Sequence, residues 1–258
     1  MQELRNRLSE KEFNNEFSRK LLDSENIFNE IYKICEYEME YGCGSYLIGD
    51  KNYEYSISMY PKQKLIYDKS KNASSVLEIG TYMGHSLLLM LLGNPKLNIT
   101  CIDIQEKYAA KATKYLQSIF QNSNIKFLKG NSLNILPTIK NKFDLFHIDG
   151  SHGNTTITKE FIHCKKLTST NDFKLIFDDV EVCNTLQKNI NSSYNVINEL
   201  IPNCVNKNKY CHIKINSDLD KKEKEDKKFR FNTNVSFLKE FPSRLMRFLL
   251  NKLKKLIF

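Results

Sequence analysis

The sequence predicts an α/β protein whose mostly parallel sheet carries helices on both faces. Short runs of β-branched and other apolar residues alternate with longer runs of helical periodicity between residues 75 and 177. Parallel strands need crossover connections, usually helices, so this alternation favours a doubly wound sheet. A turn containing Gly80 and Gly84 follows the first strand, and polar motifs follow most of the others. Ligands of such sheets bind beyond the carboxyl ends of the strands, where these motifs fall.

The strongest local signal is the stretch from Val76 to Ser86, VLEIGTYMGHS. Its first half predicts a buried strand, Gly80 breaks the pattern, and an apolar helix is expected from His85 to Leu92. A strand, a glycine turn and a helix begin a nucleotide-binding βαβ unit, because glycine lets the backbone turn sharply and approach a ligand. The free N–H groups at the helix start favour an anionic group.

Four further strands are expected after this turn, each followed by a helical segment. The predicted strands are Asn98–Ile102, Ile125–Leu128, Leu145–Ile148 and Lys174–Phe177. The predicted helices are Glu106–Phe120, a short one after Ser132, Ile157–Leu167 and Val180–Ser192. Residues Tyr210–Ile215 alternate in polarity, which predicts a late strand, antiparallel and at the far side of the sheet.

The chain divides into three regions by pattern. Residues 1–62 form a helical cap, with periodicity over residues 1–40 and a second helix capped by Ser24. Residues 63–217 carry the alternating unit, into which a helix opened by Pro61 leads. Residues 218–258 are expected to be a charged linker, in a loop or a frayed helix, followed by a basic amphipathic helix from Phe241 to Phe258.

The net charge of +9 is concentrated near the carboxyl end. Residues 219–258 hold 12 Lys/Arg and 5 Asp/Glu, a net of +7, which leaves about +2 for the rest. The basic helix at 241–258 is interpreted as docking on the protein or on a second subunit, with an anionic membrane surface as the alternative. Nucleic acid is not expected as a partner, because no basic groove interleaved with aromatic residues is found.

Composition predicts a cytoplasmic globular protein. No run of about 18 apolar residues is present, so no membrane-spanning helix is expected. The amino-terminal residues MQELRNRLSEKEF are too polar for a signal peptide. The seven cysteines include no C-x-x-C pair, which favours reduced thiols.

Acidic residues follow three of the predicted strands. Asp103 stands about 20 residues past the glycine turn, where a ribose-binding carboxylate belongs. Asp149 follows the fourth strand, and Asp178 and Asp179 follow the fifth. Adjacent strand ends are roughly 4.8 Å apart, so the side chains of Asp149, Asp178 and Asp179 can converge. Their carboxylate oxygens are hard ligands of the kind that Mg²⁺ prefers. The alternative is that these aspartates cap helices.

At these residues the chain resembles the Rossmann-like, class I methyltransferases that use S-adenosylmethionine. LEIGTYMGHS is similar to the E-x-G-x-x-x-G-x-S variant of catechol-type and related small-molecule O-methyltransferases. The run Phe143–His152, FDLFHIDGSH, resembles a broader group with IDG-x-H motifs that includes macrolide-sugar O-methyltransferases. The resemblance covers about Val76–Phe177. It implies metal-assisted transfer of a methyl group to a hydroxyl of a small-molecule or sugar-like acceptor.

The resemblance also assigns residues to the cofactor. Those implied around the methionine part are Glu78, Gly80, Thr81, Tyr82, Gly84 and Ser86. The ribose and adenine would be held by Asp103 and Ile104, and the adenine edge by Asn131 and Ser132. Asp149 would border both cofactor and acceptor.

The residues to which the resemblance assigns metal-binding and catalytic roles follow the fourth and fifth predicted strands. Asp149 and Asp178 match metal-binding positions of the catechol-type pattern, and Asp179 stands where that pattern has asparagine. His152 stands where the pattern has a lysine that accepts the hydroxyl proton, and an imidazole can do the same. His147, inside a strand, is expected to be a satisfied core residue, and His85 to shape the turn.

Two other hypotheses stay open at this point. The chain could bind S-adenosylmethionine as a non-catalytic interaction module, with the basic helix engaging a membrane or partner. An NAD-dependent enzyme is the third hypothesis. Tyr82 counts against it, because a pyrophosphate needs close backbone approach where Tyr82 replaces the middle glycine.

Overall fold

The computed structural model describes residues 1–40, 46–49, 52–151, 153–178, 184–200 and 209–240. The strands in these ranges are β1 (Ser75–Ile79), β2 (Asn98–Asp103), β3 (Asn124–Lys129), β4 (Leu145–Ile148), β5 (Asp172–Phe177), β6 (Val196–Leu200) and β7 (Lys209–Lys214). They form one sheet in the order β3-β2-β1-β4-β5-β7-β6. β1 to β5 run parallel, and β7 is antiparallel to both β5 and β6. The predicted α/β class and doubly wound order are confirmed.

Helices cover both faces of this sheet. Within the described ranges they are α1 (Gln2–Asn6), α2 (Glu16–Asp23), α3 (Glu25–Ile34), α4 (Tyr60–Ser70), α5 (His85–Gly93), α6 (Glu106–Ile119), α7 (Ser132–Ile135), α8 (Asn154–Lys166), α9 (Asn184–Ser193) and α10 (Leu219–Glu240). None of the helices in the described part of the chain is long and apolar enough to cross a membrane.

The core lies on the two sides of the sheet. One cluster packs the amino-terminal helices, α4 and α5 against it, with Phe17 and Tyr67 fully buried. The other packs α8, α9 and α10 against the opposite side, with Phe161 and Phe229 at its centre. Each such ring stabilises the fold by about 1.5–3 kcal/mol through burial. Because successive side chains of a strand point to opposite faces, neighbouring β1 residues join different clusters.

The amino-terminal region holds three helices where two were expected. The chain breaks between α1 and α2, and the side chain of Asn15 caps α2 by accepting a hydrogen bond from the Ser18 N–H at 3.1 Å. Ser24 precedes α3 as predicted, but its hydroxyl donates to the Leu21 carbonyl at 2.7 Å instead of capping the new helix. The helical periodicity alone did not reveal the break.

The carboxyl-terminal part of the chain differs more from its prediction than the amino-terminal region does. β6 was missed and is the edge strand, so β7 lies one place inside the position predicted for it. The charged stretch after residue 218, expected as a linker, belongs to the 22-residue helix α10. Phe229 of α10 is only 1% exposed and packs on Phe161 and Tyr194. Few apolar residues mark this helix, so its packing partners, not its periodicity, define it. The basic helix expected at 241–258 lies outside the described residues.

Replacing Gly80 with alanine should destabilise this fold strongly. Gly80 has φ +86°, and a Cβ there would lie 2.0 Å from the Asp149 carbonyl oxygen. We expect G80A to lower the free energy of unfolding by about 3 kcal/mol, since left-handed strain and overpacking each cost about 1–3 kcal/mol. Urea denaturation followed by circular dichroism measures this.

Gly153→Ala is the matched control. Gly153 has φ −67°, and an added Cβ would come no closer than 3.6 Å to any neighbour. G153A should stay within about 0.5 kcal/mol of the parent protein. Equal losses in the two variants would contradict the argument.

Candidate active site

The sheet order brings the predicted motifs to one edge. β2, β1, β4 and β5 are successive neighbours in the sheet. At their carboxyl ends, backbone hydrogen bonds join each strand to the residue that follows its neighbour. The Gly80 N–H donates to the Ile102 carbonyl at 2.9 Å, and the Asp149 N–H donates to the Ile79 carbonyl at 2.8 Å. The glycine turn, Asp103, Asp149 and Asp178 therefore share the carboxyl edge of the sheet, where ligands of such folds bind.

Asp103 fixes the shape of the glycine turn. Its Oδ2 accepts hydrogen bonds from the N–H groups of Thr81 at 2.9 Å and Tyr82 at 2.8 Å, while its Oδ1 accepts one from Gln105 at 2.7 Å. Tyr82 has φ +47°, an uncommon conformation for a residue with a side chain. Charge-assisted bonds to two successive N–H groups stabilise that conformation. The turn and the end of β2 thus form one unit.

Glu78 is fully buried beneath the same turn. Its Oε1 accepts a hydrogen bond from the Ser86 hydroxyl at 2.5 Å, and its Oε2 accepts one from the Thr81 hydroxyl at 3.0 Å. His147 Nδ1 lies 3.0 Å from Oε1, and its Nε2 lies 2.9 Å from the Tyr46 hydroxyl. Glu78 therefore supports two of the predicted cofactor residues from within the protein.

Opposing effects set the pKa of His147. Complete burial lowers it, whereas the hydrogen bond and negative charge of Glu78, with smaller effects of Asp149 and Asp178, raise it. The net direction is upward, so the structure favours an imidazolium paired with a carboxylate. His147 is a buried, satisfied residue, as predicted.

A buried ion pair stands at the end of β5. Lys62 Nζ of α4 donates to Asp178 Oδ1 at 2.8 Å, and the two side chains are 3% and 13% exposed. Burial raises the pKa of Asp178, but the charge and hydrogen bond of Lys62 outweigh it and leave that pKa lowered. Asp149 also helps to lower the pKa of Asp178, so the two side chains lie close together. Sequence analysis missed Lys62, because no motif marks a lysine that only tertiary packing brings to the site.

The residues at this edge lie in a stretch that is similar to known proteins. Residues 77–180 match a family model described as a methyltransferase domain. This stretch of the chain is therefore similar to methyltransferase domains. A relative, the O-methyltransferase hkm8 of Aspergillus hancockii, is 31% identical over 105 residues, which are 40% of this chain and 42% of that protein. The chain thus spans less than half the length of this relative.

Solved structures share the fold of this chain. The Bacillus cereus O-methyltransferase, in complex with SAH, has a TM-score of 0.53 at 15% identity and covers 73% of this chain and 90% of its own. The O-methyltransferase TomG of Streptomyces achromogenes, described as involved in tomaymycin synthesis and in complex with SAM, has a TM-score of 0.52 at 15% identity. It covers 76% of this chain and 95% of its own.

The other residues predicted to contact the cofactor take varied positions. Asn131 caps α7 by accepting a hydrogen bond from the Leu133 N–H at 2.9 Å, and the Ser132 hydroxyl donates to Glu160 Oε1 at 2.5 Å. Ile104 is 68% exposed beside Asp103, an apolar surface at the open edge. Contact of these three residues with the cofactor stays a prediction.

His85 is buried at the start of α5, and its expected role in shaping the turn stays a prediction. Its Nε2 lies 2.8 Å from the Tyr53 hydroxyl, which itself donates to the Phe28 carbonyl at 2.6 Å. Burial lowers the pKa of His85 to about 3, so the ring stays neutral at physiological pH. The ring packs on Tyr53 and on Phe28 of α3, and so ties these residues to the start of α5.

Two predicted residues, His152 and Asp179, lie outside the described part of the chain. Within that part, no cluster of three or more His, Cys, Asp or Glu side chains could hold a metal ion. Asp149 and Asp178 are brought together, and the contribution of Asp179 to a metal site stays a prediction.

His147 should make the protein more stable at mildly acidic than at alkaline pH. Its folded-state pKa is raised, so its contribution is fully present below the unfolded pKa of about 6.5 and is lost as pH rises through the folded pKa. Thermal melts from about pH 6 to about pH 9 should show a falling Tm, and H147Q should flatten that fall.

His163→Gln is the control for this pH dependence. Burial and the nearby Lys166 lower the pKa of His163, so removing it cannot flatten the fall. The assignment is wrong if H147Q keeps the slope of the parent protein.

Proposed function

We propose that this protein is an S-adenosylmethionine-dependent O-methyltransferase, acting on a hydroxyl of a small-molecule or sugar-like acceptor. The observation that carries the proposal is the shared carboxyl edge of β2, β1 and β4, where the glycine turn lies between Asp103 and Asp149. The similarity to O-methyltransferases, including structures bound to SAM or SAH, supports the cofactor and the reaction type.

The residues at this edge suit the parts of the cofactor. Asp103 already accepts backbone hydrogen bonds through both oxygens, and each carboxylate oxygen has capacity for more than one donor. A ribose hydroxyl could therefore join these bonds without breaking the turn. The exposed side chain of Ile104 offers an apolar surface for the adenine ring. In this proposal the buried Glu78 acts indirectly, because its hydrogen bonds orient the side chains of Thr81 and Ser86.

Methyl transfer requires the protein mainly to align the reacting atoms. The acceptor oxygen forms a bond to the methyl carbon while the carbon–sulfur bond breaks, and its electron pair stays on sulfur to give S-adenosylhomocysteine. The hydroxyl proton leaves to a base, and His152 is our candidate. The protein must hold oxygen, carbon and sulfur in line and exclude water, which can lower the barrier by several kcal/mol (about 7–11 in well-oriented systems).

Magnesium assistance is the finer form of the proposal, and the described donor set does not suit it. Mg²⁺ would need oxygen ligands from Asp149 and Asp178 in an octahedral arrangement. One Asp178 oxygen is occupied by the Lys62 ammonium, whose positive charge would repel the ion. Binding the metal would require this lysine to leave. The proposed reaction therefore has no step that needs a metal.

Loss of Asp103 should weaken cofactor binding. S-Adenosylhomocysteine should raise the Tm of the protein, by the equivalent of about 2.7 kcal/mol at a hundred times its Kd, whereas NAD should not. D103N should weaken S-adenosylhomocysteine binding about 10- to 100-fold, because hydrogen bonds to a charged carboxylate contribute about 1.5–3 kcal/mol. Calorimetry with S-adenosylhomocysteine measures the change.

Asp144→Asn provides a matched control. Asp144 also accepts hydrogen bonds from two backbone N–H groups, those of Ser74 at 2.8 Å and Ser75 at 3.0 Å, but at the opposite end of β1. D144N should lose stability without losing cofactor affinity. Stabilisation by NAD but not by S-adenosylhomocysteine would overturn the proposed cofactor.

The reaction itself is tested by methyl transfer from labelled S-adenosylmethionine to a panel of catechols, phenols and sugars. Label should appear in an O-methyl ether and S-adenosylhomocysteine should accumulate in equal amount. Tight cofactor binding without transfer to any acceptor would instead favour the non-catalytic interaction module.

A further inference from the structure

We propose that the Lys62 ammonium occupies the position that a divalent metal would take, and that it binds the acceptor's hydroxyl oxygen directly. This inference rests on the proposed methyltransferase function and deepens it. It assigns the acceptor-binding cation to a residue outside the family match at 77–180, and it makes the reaction independent of metal.

The first support is the placement of the charge. Asp178 directly follows β5, and its N–H donates to the Ile148 carbonyl at 3.1 Å, which sets it beside the end of β4. The Lys62 ammonium reaches this point from α4 and is nearly enclosed. A positive charge thus lies among the carboxylates of the reactive edge, where an electrophilic group is needed to hold an acceptor oxygen.

The second support is the unused bonding capacity of the lysine. An ammonium has three N–H donors, and the described residues provide Lys62 with one hydrogen-bond acceptor, Asp178 Oδ1. The ring of Tyr46 lies 5.7 Å from Nζ and offers a cation–π contact, which uses no lone pair. Two donors can therefore serve an acceptor oxygen or two neighbouring oxygens, as in a diol.

The third support is electrostatic balance. A buried carboxylate is costly unless a cation or hydrogen-bond donors compensate it. Glu78 is compensated by hydroxyls and His147, Asp103 by backbone N–H groups, and Asp178 by Lys62. Adding a divalent ion would put two cations on Asp178. A lysine that both neutralises Asp178 and donates to the acceptor satisfies the site without the ion.

The role of this ammonium in the reaction is to bind and polarise. Donation to the hydroxyl oxygen lowers the pKa of the acceptor and aligns its lone pair with the methyl carbon. Lys62 acts only as a hydrogen-bond donor, and the hydroxyl proton leaves to the separate base. An acceptor with two adjacent oxygens would use both remaining donors, so catechols and vicinal diols are the preferred class.

Calorimetry with Mg²⁺ alone tests the position of the charge. The parent protein, saturated with S-adenosylhomocysteine, should show no Mg²⁺ binding. K62A removes the ammonium from Asp178 Oδ1, so this variant should gain Mg²⁺ binding. K64A is the matched control on the same helix, since Lys64 pairs with the exposed Asp68, and it should gain none. Binding to the parent protein, or to neither it nor K62A, would overturn the proposal.

Kinetics test the contact with the acceptor. Activity of the parent protein should survive EDTA, and K62A should lose at least about tenfold in kcat/KM for the acceptor with little change in KM for S-adenosylmethionine. Ethylammonium should partly restore K62A but have no effect on K64A. A purely structural lysine would give no such rescue. Retained S-adenosylhomocysteine binding by K62A shows that the variant is folded.

The outcomes separate this inference from the function on which it rests. Failure of the parent protein to bind S-adenosylhomocysteine would overturn the proposed function. A parent protein that methylates acceptors but loses activity in EDTA, and regains it with Mg²⁺, would overturn only the role of Lys62.

Discussion

The buried carboxylate of Glu78 is the constraint around which the rest of the site is built. It has no exposure to solvent, yet it contacts the turn through Thr81, the first helical residues through Ser86, and β4 through His147. An ionised group in such a place is stable only when its lone pairs are satisfied. Because its partners come from three elements, satisfying Glu78 fixes their relative positions. Tyr46 extends the network into the amino-terminal region through His147.

The negative charges at the edge of the sheet are compensated by different means, and each suits a different task. Backbone N–H groups bind Asp103, which makes the turn rigid and leaves capacity for a ligand hydroxyl. Hydroxyls and an imidazole enclose Glu78 entirely, so it is a support. An ammonium binds Asp178, which places a cation where the acceptor is expected. Under the proposed function, the Asp103 side of this edge serves the cofactor and the Asp178 side serves the acceptor.

The two sides also have different origins in the chain. The proposed cofactor residues fall within residues 77–180, the range that matches the methyltransferase family. Tyr46 and Lys62, which approach from the acceptor side, belong to the preceding segment and reach the sheet by packing. The amino-terminal helices therefore do more than cover one face of the sheet, because their contacts in the core determine the position of Lys62. We expect acceptor preference to depend on this region.

The sequence by itself determined the alternating unit, because local periodicity and glycine chemistry act over a few residues. The bounds of β4 were predicted to the residue, and parallel strand order was enough to predict that Asp149 and Asp178 lie at the same edge of the sheet. Only the tertiary structure decided what each carboxylate contacts. β6 and the packing of α10 depend on distant partners, as does the pairing of Lys62 with Asp178 across 116 positions of sequence. No local pattern encodes such contacts, because their free energy arises only when the folded core brings the charges together.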